Sequence, residues 1–108
     1  MTQYAITFPA RTMVLSPEEF EQAGVDANAV VEEMKAAGVY VAAGGIDPEA
    51  AVDLVGADGT TTAGPYPDTE GFNGGLTVID VDTREEAVMW AAKVAAACRC
   101  PQELRGLF

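Results

Sequence analysis

The chain has 108 residues, 49% hydrophobic and 21% charged, which is the composition of one folded domain over residues 1–108 and not of a disordered segment. Seventeen acids against six bases leave a formal net charge of -11. That balance argues against a nucleic-acid partner, which needs clustered Lys and Arg, and equally against docking on an anionic membrane.

No window approaches the ~20 apolar residues of a membrane span. The opening stretch MTQYAITFPARTMVL carries one base, Arg11, and lacks the charged start of a signal peptide. The two cysteines, Cys98 and Cys100, are too close for an unstrained disulfide and too few for a secreted framework. The cytoplasm is the expected compartment.

The first element, QYAITF (3–8), alternates as a strand does, with Tyr4, Ile6 and Phe8 on one side and Ala5 and Thr7 on the other. A helix follows from Ser16, an N-cap, with Pro17 at the first helical position and Glu19 completing a capping box. Phe20, Ala23, Ala27, Val30, Val31 and Met34 recur at helical spacing, Gly24 and Asp26 suggest a division into a short and a longer helix, and Gly38 is the stop.

VYVAA (39–43) reads as a second strand, broken by GGIDPEA. AVDLV (51–55) and TTTA (60–63) flank Asp58-Gly59, a hairpin turn signal. A loop rich in glycine and proline, TAGPYPDTEGFNGG (62–75), leads into the β-branched strand LTVIDV (76–81). The last helix starts at Thr83, with Glu86 placed for a second capping box, presents Ala87, Trp90, Ala91, Val94 and Cys98 on one face, and ends before Pro101. ELRGLF is the closing strand.

The order is β-α-β, a hairpin, then β-α-β: an α+β, ferredoxin-like βαββαβ fold with an inserted β-hairpin. Both helices then cover one face of the sheet. Strand residues are apolar on both faces, however, with Leu76 and Val78 on one side of LTVIDV and Ile79 and Val81 on the other. A second copy of the chain is the simplest cover for the open face, so the expected partner is a homodimer mate packed sheet to sheet.

Three segments carry a resemblance to a known family: LSPEEF with MKAAGVYVAAGGIDP (34–48); TAGPYPDTEGFNGGLTVIDVDTREEAVMWAA (62–92); and CRCPQELRGLF. Their order and spacing resemble the YCII-related proteins, in the branch named for a DGPF motif. The resemblance implies pairing of ferredoxin-like subunits into a dimeric α/β barrel. It also implies a cleft between the sheet and the dimer partner, with a His-Asp pair in one branch. Barrels of this kind include lactone isomerases, dehalogenating enzymes and small monooxygenases.

This chain departs from that pattern. It has no histidine, which excludes a His-Asp pair; Ala63 stands where the motif has Asp, and Tyr66 where it has Phe. Glu70 and Gly71 stand where the family tends to have Lys and Glu, and Gly44 where it often has an acid. What remains is mostly backbone-shaping: Gly64, Pro65, Gly74 and Gly75.

Two readings of function follow. In the first, a cleft edged by Tyr4, Tyr40, Tyr66, Asp68 and Thr69 binds a small apolar ligand without chemistry. In the second, a cofactor-independent isomerase or lyase acts on a small carbonyl or lactone, with Tyr66 or Asp68 carrying the proton. General acid–base work asks for a pKa tuned by burial, so the burial of Asp68 separates the two. No metal site is expected, because Cys98 and Cys100 lack the further Cys or His ligands that structural zinc takes and the acids do not follow a calcium-loop spacing. No cofactor is expected either, since no dinucleotide or P-loop motif is present, and no G-x-S-x-G nucleophile elbow occurs.

Overall fold

A computed structural model describes all 108 residues. In chain order it contains β1 (Thr2–Phe8), α1 (Pro17–Ala37), β2 (Tyr40–Gly45), the hairpin β3 (Asp53–Val55) and β4 (Thr61–Ala63), β5 (Gly75–Val81), α2 (Arg84–Cys98) and β6 (Glu103–Gly106). Single 3-10 turns at Ala10–Thr12 and Pro67–Thr69 punctuate the loops.

Four strands form one antiparallel sheet in the order β2-β5-β1-β6. Each β-α-β unit therefore straddles the first strand of the other, which is the ferredoxin-like interleaving. The hairpin makes its own two-stranded sheet and stands apart from the four-stranded one.

α1 begins where its caps dictate. The Ser16 hydroxyl accepts from the Glu19 amide at 3.2 Å, and the Ser16 amide donates to the Glu19 carboxylate at 3.0 Å. Gly38 closes the helix in the left-handed conformation, φ 75°. The helix runs unbroken through Gly24 and Asp26, against the expected division in two. One glycine costs only about 1 kcal/mol in a helix interior, and burial of Ala23, Val30 and Met34 on either side outweighs it.

At α2 only half of the second box forms: the Thr83 hydroxyl accepts from the Glu86 amide at 3.2 Å, without the reciprocal bond. The apolar face is as expected, with Ala87, Trp90, Ala91, Val94 and Cys98 all buried. The core lies between the two helices and one face of the sheet, where Ile6, Met34, Ile79 and Val81 are almost fully buried.

β2 extends through Gly44 and Gly45, past the point where the glycines were expected to break it. The ladder pairs Gly44 with Leu76 and Gly45 with Gly75, so backbone hydrogen bonding to β5 holds the strand where side chains do not. The hairpin strands are shorter than expected, beginning at Asp53 and Thr61.

The opposite sheet face carries no helix. Ala5 pairs with Val78 and Thr7 with Leu76 across β1 and β5, and Ala42 and Gly44 flank them on β2. Glu103 and Arg105 border this face on β6, where the Arg105 guanidinium meets the Thr7 hydroxyl at 3.4 Å and the Glu103 carboxylate at 3.0 Å. The molecule is correspondingly flat, 41 × 37 × 20 Å.

Candidate functional site: a cavity between α1 and the sheet

The side chains that the sheet raises toward α1 are unusually small along β2 and the start of β5. Ala43 pairs with Thr77 there, and Gly45 with Gly75. α1 spans them without filling the space, leaving a cavity of about 570 Å³, within the range of small-molecule sites. Phe20, Ala23, Ala27 and Val30 of α1 form its roof. Ile6 and Phe8 of β1 lie in its floor, and Val94 and Cys98 of α2 close its inner end. It borders β2 from Tyr40 to Gly45 and continues to Ile46 just beyond the strand, a run of ~20 Å at strand rise.

The charged groups stand at the rim, while the Thr77 hydroxyl and the Gln102 amide also line the wall. Asn28, Glu32 and Lys35 recur at helical spacing along one side of α1. The Lys35 ammonium contacts the Glu32 carboxylate at 3.4 Å and lies 5.2 Å from the centroid of the Tyr40 ring. At the other end stands Asn73, whose carbonyl oxygen accepts from the Ala10 amide at 2.9 Å, which leaves its amide nitrogen to donate. Burial pushes the Cys98 thiol pKa up, with the neighbouring Cys100 adding to the effect and Arg99 opposing it.

Of the residues that the sequence nominated, Tyr40 alone lines this cavity. Tyr4 is half-buried on the helix-facing side of β1 and packs against the core. Tyr66 is 64% exposed, and Asp68 and Thr69 are exposed on the turn that follows it. The Thr69 hydroxyl donates back to the Tyr66 carbonyl at 3.4 Å, so that turn is organised by its own backbone. No three His, Cys, Asp or Glu side chains converge as a metal cluster would.

The sequence reading missed Asn28, Glu32, Lys35 and Asn73. The signal available was the i, i+4, i+7 run of polar residues on α1, which reads as a solvated helix face until the gap beneath it is known.

The family model of the YCII-related domain matches residues 2–99. The chain belongs to the YCII-related family. None of the curated proteins matches it. In this YCII-related domain Gly74 and Gly75, at the end of the loop, serve packing: a side-chain carbon on Gly75 would stand 2.7 Å from the Phe8 ring. The same two glycines also line the cavity beside Phe8.

Proposed function

We propose that this YCII-related protein binds a small apolar molecule in the cavity between α1 and the sheet, as a homodimer and without a His-Asp dyad. The observation that carries the reading is the cavity itself: about 570 Å³, walled mostly by aliphatic and aromatic side chains, with its charged groups at the rim. The solvent exposure of Tyr66 and Asp68 favours binding over proton transfer, because neither side chain is desolvated or set against the cavity wall.

The uncovered, partly apolar sheet face supports the dimeric part of the proposal. Leu76 and Val78 sit there among Ala5, Ala42 and Gly44 with no helix over them.

The neutral fluorophore 1-aminoanthracene tests the binding. Its emission should rise and saturate at one molecule per chain. Gly45 faces the cavity and has no atom within 4 Å of an added Cβ, so Gly45→Leu should fill the space from the strand side and abolish the signal without unfolding the chain. Equal emission from the wild type and Gly45→Leu would refute binding in this cavity.

A further inference from the structure

We infer that Glu32 sets the charge preference of the cavity, restricting it to uncharged apolar molecules and excluding carboxylates of the same size. The inference rests on the ligand-binding reading above and specifies its ligand class. Lys35 is the single cation along the cavity wall and Glu32 the single anion. Their charged groups are 3.4 Å apart, and the Lys35 ammonium is also drawn over the Tyr40 ring.

A ligand carboxylate seeking a cation in this site has Lys35 alone to approach. There it meets the Glu32 carboxylate within a few ångströms, so attraction and repulsion nearly cancel. The surrounding field is no help, since the chain carries a net charge of -11. Deeper in the cavity the wall is mostly apolar and its polar groups, the Thr77 hydroxyl and the Gln102 amide, are uncharged, so a carboxylate without a counter-charge pays a desolvation cost there. An uncharged molecule meets none of these terms and keeps the full gain from burying its apolar surface.

Glu32 is thus a specificity-determining residue whose removal unmasks a cation already placed at the mouth. Both side chains of the pair keep solvent access, 49% for Lys35 and 72% for Glu32, so the pair contributes little to stability and its loss leaves the fold intact.

The test compares 1-decanol with decanoate, ionised at neutral pH, as competitors for bound 1-aminoanthracene. Wild type should bind decanol about tenfold or more tightly than decanoate, the scale of one close like-charge contact near a surface. In Glu32→Gln, decanoate should strengthen relative to decanol until it matches or exceeds it. In Glu32→Gln/Lys35→Met the gap should reopen, because the unmasked cation is gone. Wild type that binds decanoate as tightly as decanol, or a gap that Glu32→Gln leaves unmoved, overturns the inference and leaves the ligand-binding reading standing. Failure of both alcohol and acid to displace the fluorophore overturns the two together.

Discussion

The carbonyl oxygen of Phe8 occupies the place that the Cβ of any residue other than glycine would need at position 74. The Phe8 ring stands 2.8 Å from the same point, so neither backbone nor ring leaves room. Gly74→Ala should therefore destabilise the chain by about 1–3 kcal/mol, the usual cost of overpacking, and lower its urea midpoint. Gly45 is the control: it pairs with Gly75 from β2, an added Cβ meets nothing within 4 Å, and Gly45→Ala should leave stability within about 0.5 kcal/mol of wild type. Equal midpoints for the two variants would remove the steric account of the GG step.

How much of this was legible beforehand depends on whether a feature is local. Ser16 with Glu19 marked the start of α1, and the Trp90 face of α2 was readable from spacing, because both are fixed within one or two turns of chain. The two-sided apolarity of β1 and β5 was readable for the same reason. The cavity was not, because it is a distance between α1 and β2 set by what is absent: the bulk missing at Ala43, Gly45, Gly75 and Thr77. Small residues in a strand look like a break from sequence alone, as Gly44-Gly45 does. Phe20 shows the same limit, falling on the apolar stripe of α1 by spacing yet remaining 62% exposed at the cavity. The loop at 62–75 is distinctive in composition, but its acids Asp68 and Glu70 are exposed and its last two glycines make room for Phe8.

Acid should weaken the fold partly through the first turn of α1. The Ser16 amide and hydroxyl hold the Glu19 carboxyl below its ordinary value of 4.5. A folded pKa below the unfolded one means stability that is present above the unfolded value and lost as pH falls through the folded one. That loss begins below pH 4.5 for Glu19. Asp58, held down from 3.8 by the Thr60 amide and hydroxyl, adds a second loss at lower pH. Glu19→Gln keeps a side-chain acceptor for the Ser16 amide but cannot titrate. Its stability should fall less steeply than that of wild type between neutral pH and pH ~3, measured by urea unfolding at each pH. Parallel curves would show that the capping carboxylate contributes nothing to acid sensitivity.

The two thiols should resist alkylation in the folded chain. Cys98 and Cys100 are 7% and 5% exposed and unpaired by any disulfide. The reactive species is the thiolate, and burial pushes the Cys98 pKa up, so less thiolate is present at neutral pH than on a free cysteine. Iodoacetamide at neutral pH should label native protein slowly and urea-unfolded protein rapidly at both positions, as read by mass spectrometry. Saturating 1-decanol should slow labelling of Cys98 further, because Cys98 lines the cavity and Cys100 does not. Fast native labelling of Cys98 would mean that the inner end of the cavity is open to solvent.

The open sheet face gives the proposed dimer its sharpest test. Val78 lies near the middle of that face, paired with Ala5 on one side and Ala42 on the other, and is half-buried within the single chain. A carboxylate there stays hydrated in a monomer and costs little. Pressed against an apolar partner surface, it would be desolvated without a counter-charge beside it. Val78→Glu should therefore dissociate the dimer while leaving the subunit folded. In sedimentation the wild type should run at twice the 11.3 kDa chain mass and the variant at the mass of one chain, with unchanged far-UV circular dichroism. A wild-type chain that sediments as a monomer at micromolar concentration would overturn the dimer outright. A variant that stays dimeric would move the interface off this face, onto the hairpin or the helix side.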